Sequence, residues 1–543
     1  MPLYNPPSAV SDASVFSAKV YGAVGDGQVV TDGAMLSTSN VLTSASGKFQ
    51  VSDVGKLVMV KGAAATGITS AFGTITAFTS ATQVTVSFTN TSGADVTGVQ
   101  VLWATDDTAA LQSAINAAVV YGQAHGSAKV SVPAGAGLFY GIGGALVSGG
   151  STLGNAQLTL PVIATTAGKV ALTIEGAANG SGLEHWQQLV PQLAGSTLVS
   201  FRVYASVGAQ STNITANGNG CLLGGPAQPG GYGVAPGVFS NMLLTVRNLS
   251  VLTAHSSFGL TYSALDLSGL AEANLENFAY GTTGIVPGTD FGTPSVFSTG
   301  LSIGVLMPAN GNNDNCLISN LSCHGGYTYG LFATEHTVIN SARLLYCWSA
   351  FCPVGTYFGS VGATHAIWAA QLSIEGCTNE MNIIGVGSAG IGPIVDVLQL
   401  DTEASSPTFI DNTGGTALAA ALGTIRLTGL FSVAGVNVAH PTGLKIINGQ
   451  VPYPVVTKTG NYTVSIVDQT ILVDATAGNV TVTLISAAHT PNTYTVVKTD
   501  SSANTVTVAT TGGQTINGAT TAVLSAQWGT ITVIPSGGNW YGV

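Results

Sequence analysis

Charge is what this chain has least of. Only 7% of its 543 residues are Asp, Glu, Lys or Arg, against about 25% in ordinary globular domains, while hydrophobic residues, at 45%, are near normal. The polar surface must therefore come from Ser, Thr, Asn and Gln. The 13 Lys and Arg are scattered and the formal net charge is −11, so no basic stripe exists to neutralise phosphates, and nucleic acid is not an expected partner. Six cysteines without a CxxC pair make neither a disulfide scaffold nor a metal site. No metal and no cofactor are expected. The N-terminus, MPLYNPPSAVSDASV, has no positive n-region and no apolar h-region. Runs such as GTALAAALGTI, before Arg426, fall short of the ~18 residues of a membrane span. The expectation is a chain assembled in a cytoplasm without membrane insertion.

What is abundant is Gly, with 71 residues, and recurrent Val, Thr and Ile, a composition that favours stacked β-structure with many turns over helices. One helical signal stands out. From Asp106 to Ala118 an N-cap residue, Asp107 or Thr108, precedes Leu111, Ile115 and Ala118 at helical spacing. A β-alternating run, KVSVPAG (Lys129–Gly135), follows it, and nearly everything after reads as short strands between turns.

From residue 241 onward similar units recur: VRNLSV, LENFAY, ISNLSC, VINSARLL, AQLSIEG, VLQLDTEA and TIRLTGL, their starts 20 to 43 residues apart. Such a repeat, with one strand core and variable turns, predicts a β-solenoid in which each coil buries its apolar side by stacking on the next. Four units place Asn before the core: Asn248, Asn277, Asn320 and Asn340. Stacked Asn side chains at a tight bend are expected to hydrogen-bond from coil to coil. After VPYP (451–454), a linker, the strands lengthen, and 455–543 reads as a separate small β-domain. The runs FQVSDVGKLVMVKG and AFGTITAFTSATQVTVSF alternate as well, so the stretch between KVYGAVGDG (19–27) and ATDDTAALQSAINAA (104–118) is expected to fold with its own sheet.

The split motif, YGAVGDG followed by TDDTAALQSAINAA and VSVPAG, resembles the start of pectate-lyase-like right-handed β-helices. That opening is shared by polysaccharide-degrading enzymes and by bacteriophage tailspikes and fibres. The inserted stretch and the final ILVDATAGNVTVTL and GTITVIPSGGNWY resemble modules of phage tail proteins. The resemblance implies an all-β fold, a right-handed parallel β-helix with one short capping helix. It divides the chain into an N-terminal arm (1–18), the first part of the cap (19–27), an inserted small β-domain (28–104), the capping helix and β-helix (105–450) and a C-terminal β-domain (451–543). It also implies a homotrimer, joined to phage tail or baseplate proteins in the virion, that attaches to a bacterial surface glycan. The alternative it leaves open is a tailspike depolymerase, a glycosidase or lyase.

Galacturonan hydrolases of this superfamily carry paired Asp motifs, Gly-His-Gly and Arg-Ile-Lys. None is here: His324 sits in CHGG and Arg343 in ARLL. Residues 241–440 contain only Arg247, Arg343 and Arg426 as bases, too few for a pectate lyase. Asp26 and Asp107 read as a turn residue and a helix cap. The candidate catalytic groups are Glu375, Asp401 and Glu403, about one coil apart. Glu375 and Asp401 are placed outward on adjacent strands, where the ~4.8 Å strand spacing suits a carboxyl pair. The same residues also fit a compensating ladder of charge, Arg343, Glu375, Asp401 and Arg426 on one face. Residues 324–368 hold nine of the chain's 39 aromatics, more than even spacing would place there. Some must fill the core. Tyr327, Tyr329, Trp348 and Trp368, with Arg343, are the candidates for contact with sugar rings.

Overall fold

The computed structural model describes residues 14–64, 70–144, 155–164, 166–177, 196–201, 220–224, 240–253, 262–267, 270–282, 303–306, 314–324, 329–333, 341–350, 354–360, 366–375, 379–385, 394–403, 408–411, 424–432, 438–439, 445–448, 455–465, 468–488, 490 and 492–543. The chain divides into two compact units, Met1–Thr334 with Trp348–Pro353, and Glu335–Cys347 with Val354–Val543. It is mostly β with few helices, and its large sheets are parallel, as in an all-β solenoid.

In the first unit, strands alternate in sequence between two parallel ladders. One runs through Ser127–Val132, Val170–Gly176, Ser240–Thr253, Leu270–Thr282 and Asp314–His324. The other runs through Asn155–Thr159, Gly220–Gly224, Tyr262–Asp266, Ile303–Leu306 and Tyr329–Ala333. Parallel in-register stacking lines like residues up in columns. Val130, Ile174, Val246, Leu275 and Ile318 are successive register partners, and all are buried. A column of branched side chains filled this way supplies the hydrophobic driving force that no single coil has.

The three longest strands of the first ladder, Ser240–Thr253, Leu270–Thr282 and Asp314–His324, each bend at an asparagine. Asn248, Asn277 and Asn320 hold φ of 54°, 51° and 50°, a left-handed conformation that Asn tolerates better than other side chains. The Asn277 amide donates to Asn248 Oδ1 at 2.9 Å. Buried residues flank each bend, Val246 and Leu249, Leu275 and Phe278, Ile318 and Leu321, so the turn swings the strand without breaking the core. Asn340 lies outside the described residues.

The helix spans Thr108–His125, longer than its sequence signal, because Val119 and Gly122 continue the buried stripe of Leu111, Ile115 and Ala118. It stops at Gly126, which takes φ 88° and donates back to the Gly122 carbonyl at 2.7 Å. Between the halves of the split motif, six strands from Gln28–Met35 to Val96–Ala104 close into an antiparallel barrel. Its core holds Phe49 and Trp103, with ring centroids 4.8 Å apart.

In the second unit the same alternation recurs. One parallel ladder contains Ala366–Glu375, Ile394–Glu403, Thr424–Ser432 and Lys445–Asn448. The C-terminal region is itself a short two-sheeted solenoid. Val455–Lys458, Thr470–Val473 and Tyr494–Lys498 form one parallel ladder, and Tyr462–Thr463, Val480–Thr483 and Val506–Ala509 form the other. Antiparallel strands Thr521–Leu524, Thr530–Ser536 and Asn539–Gly542 close it. Inward Val, Ile and Leu alternate with outward Thr, and Tyr494 and Trp540 are fully buried at its centre.

Candidate contact surface and the split motif

The two halves of the split motif meet through three aspartates. Asp107 is 1% exposed, and its two carboxylate oxygens accept the N–H groups of Val24 at 2.7 Å and Gly25 at 3.0 Å. Although Asp107 stands at the N-cap position, its side chain makes no capping hydrogen bond. That work falls to Asp106, whose Oδ1 accepts from Thr108 N at 3.1 Å and Thr108 Oγ1 at 2.5 Å, and from Gly143 N at 3.1 Å. Asp26 accepts from the Thr105 N–H at 2.8 Å and its hydroxyl at 2.9 Å, and pairs with Lys56 of the barrel at 2.7 Å.

The same contacts set the charges. Burial pushes the Asp107 carboxyl up to about 6, against the pull of its two N–H donors, and the neighbouring Asp26 and Asp106 add to the rise. Burial also acts to raise Asp26, but Lys56 and Thr105 outweigh it and hold the carboxyl below its ordinary range. Every one of these carboxylates is committed to the chain's own backbone, hydroxyls or ammonium. The motif is therefore a clasp that closes the solenoid end and anchors the barrel.

On the outer face of the first unit, Glu175 lies between Lys129 at 3.1 Å and Arg247 at 3.0 Å, one from each neighbouring strand. Lys169 pairs with Glu272 at 2.6 Å. These half-exposed pairs are each worth less than about 1 kcal/mol, yet they make a compensated charge ladder of the kind the sequence suggested further along the chain.

In the second unit the register differs from that expectation. Glu375 is the partner of Glu403, Asp401 stands between Ser373 and Phe431, and Arg426 is paired with Asp396. The four charges Arg343, Glu375, Asp401 and Arg426 therefore share no single row, because the coils here advance by 28 residues (Ser373 to Asp401) and 30 (Asp401 to Phe431). The side chains of Glu375, Asp401 and Glu403 lie outside what is described. The row that does form is Trp368, Asp396 and Arg426 on three consecutive strands.

Trp368 is 43% exposed. Arg343 is exposed on the neighbouring strand, Ser341–Ala350. The same strand carries Tyr346, 62% exposed and held at φ 57°. For a bulky residue that conformation is strained, at a cost of about 1–3 kcal/mol, and it occupies the bend position just before the buried Cys347. Tyr346 belongs to the aromatic cluster but was not singled out for ligand contact; its place at a bend that Asn fills elsewhere was the signal. Tyr327 lies outside the described residues, as do the side chains of Tyr329 and Trp348.

Among the described residues no cluster of His, Cys, Asp and Glu could hold a metal ion, and no helix is long and apolar enough to cross a membrane. No protein family matches this chain, and no curated protein is similar to it. A solved structure that is similar is that of PfbA, a surface adhesin of Streptococcus pneumoniae. It shares 10% identity, with 81% of this chain and 95% of that chain covered, at a TM-score of 0.34.

Proposed function

We propose that this chain is a phage tail fibre or receptor-binding protein. In this reading it is a right-handed parallel β-helix, working as a homotrimer, whose outer face attaches to a bacterial envelope glycan. The observation that carries the reading is the exposed surface of Tyr346, Trp368 and Arg343, with the half-buried Asp396 beside them, on adjacent strands of one ladder. Flat aromatic faces beside a carboxylate and a guanidinium suit sugar rings, whose CH faces stack while their hydroxyls hydrogen-bond. The split cap motif, which resembles that of tail proteins, and the low content of charged residues, 7% of the chain, support it further. Neutral β-faces can be covered by copies of the same chain.

Trp368→Ala and Tyr346→Ala should each weaken adsorption to host envelope polysaccharide on the order of tenfold, as expected for truncating an aromatic anchor. Binding to immobilised polysaccharide measures this, and the same preparation should sediment at the mass of three chains. Unchanged adsorption by both folded variants would count against the reading.

One observation favours a depolymerase as the second reading. Glu375 and Glu403 are direct register partners on neighbouring strands, and a strand spacing of about 4.8 Å is compatible in general with the ~5 Å carboxyl separation used for glycoside hydrolysis with retention. If that chemistry operates, Glu375→Gln and Glu403→Gln should each abolish the release of new reducing ends from the polysaccharide while leaving adsorption intact. Fragments released at the original rate would refute it.

A further inference from the structure

The inserted barrel carries a groove of its own, open to solvent and about 950 Å³ in volume, within the roughly 300–1,000 Å³ typical of ligand sites. It runs along the strand Ser70–Ser80 and the segment after Gln83–Val86. Its apolar lining is Ala64, Ala71, Val86 and two half-buried phenyl rings, Phe72 and Phe88. An added Cβ at Gly73 would come 2.8 Å from Phe88 Cδ1, so the ring of Phe88 lies directly over a backbone without a side chain; it also packs against the barrel core, and Phe72 against the neighbouring cluster of Leu57, Met59 and Leu102. The polar lining comes from Asn40, Thr76, Thr89 and Thr91. Thr76 sits at a register shift between Ile75 and Ala77, a bulge of the kind that re-aims a side chain beside a binding site. Among the described residues no charged side chain lines the groove.

Charge decides the ligand class. An anionic or cationic ligand would have to give up its hydration without a counter-charge, which is costly, whereas a neutral polyhydroxylated ligand exchanges water for hydroxyls and an amide at little cost. Two rigid aromatic faces add the apolar contact that sugar rings offer. We propose that this groove is a binding site for a neutral oligosaccharide, with Phe72 and Phe88 against sugar faces and Asn40, Thr76, Thr89 and Thr91 serving the ring hydroxyls. The site stands independently of the solenoid surface proposed above.

Saturation-transfer NMR on the full chain with cellotetraose, maltotetraose and chitotetraose, and with tetragalacturonate as the acidic comparison, tests it. At least one neutral tetrasaccharide should bind. Thr76→Arg and Thr89→Arg, both at exposed positions on the rim, should each weaken that binding at least tenfold, with a thermal melt confirming the fold. Trp368→Ala separates the two sites, since tetrasaccharide binding lost in that variant but kept in Thr89→Arg would overturn the groove site. So would failure of all three neutral probes, equal binding of tetragalacturonate, or wild-type binding by both arginine variants.

Discussion

Asp107→Ala should destabilise the capped end of the solenoid by about 3 kcal/mol, since each buried N–H left without a partner costs roughly 1–3 kcal/mol. The donors concerned are Val24, partly buried, and Gly25, fully buried. Asp107→Asn should fall between the variant and the wild type, because it keeps one acceptor oxygen but turns an amide N–H toward a backbone donor. Urea unfolding followed by the fluorescence of the buried Trp103 reads both, and a midpoint unchanged in Asp107→Ala would contradict the role assigned to the clasp. The pH dependence gives a second readout. The folded Asp107 carboxyl titrates near 6, against about 3.9 in the unfolded chain. Its stabilising contribution is therefore fully present below about pH 4 and is lost as pH rises through about 6, a change of about 2–3 kcal/mol. Asp26, Asp32 and Glu175, whose carboxyls are held low, contribute the opposite slope, and only at lower pH. Between pH 4 and 6 the wild type should lose stability relative to Asp107→Asn, and parallel curves would show that Asp107 titrates normally.

Much of this architecture was legible in the sequence for a physical reason: parallel in-register stacking writes itself as recurrence. Asn248, Asn277 and Asn320 could be read as bends because left-handed backbone selects Asn, and the inserted segment as folded because its strands alternate. What was not legible depends on loop length. Coils of 28 and 30 residues separate Ser373, Asp401 and Phe431, and an error of two residues in such a coil exchanges Asp401 for Glu403 as the partner of Glu375. The Lys129–Glu175–Arg247 ladder was missed for the same reason, its members lying 46 and 72 residues apart in sequence while adjacent in space. The parallel pairing of the C-terminal region was hidden because alternation with period two is the same in parallel and antiparallel strands. Asp107 showed the limit of local motifs: a residue in the N-cap position spent its carboxylate on a loop more than 80 residues away.

The C-terminal region makes the sharpest case of a charge that cannot be left alone. Only five of residues 455–543 are charged: Lys458, Asp468, Asp474, Lys498 and Asp500. Lys498 has a side chain with 0% exposure, and its ammonium donates to Asp500 Oδ1 at 2.5 Å and to the Asp500 carbonyl at 2.9 Å. Burial acts to raise the Asp500 carboxyl, but Lys498, the Ser502 hydroxyl and the N–H groups of Ala475 and Ser502 hold it well below its ordinary range. The aspartate also ties two coils together, accepting from Ala475 N at 2.6 Å. Asp500→Ala removes the counter-charge and leaves the ammonium in the interior, which is far costlier than losing both partners. Hydrogen exchange across Thr470–Val473 and Tyr494–Lys498 should accelerate on the order of a hundredfold in Asp500→Ala. The double variant Lys498→Met with Asp500→Ala should recover a large part of that protection, though not all, because the Ala475 N–H still lacks its acceptor. Equal exchange in the single and double variants would mean that Lys498 reaches water in the folded state. Slower exchange in the double variant instead assigns the pair to holding the coils in register, with opposite charges buried together.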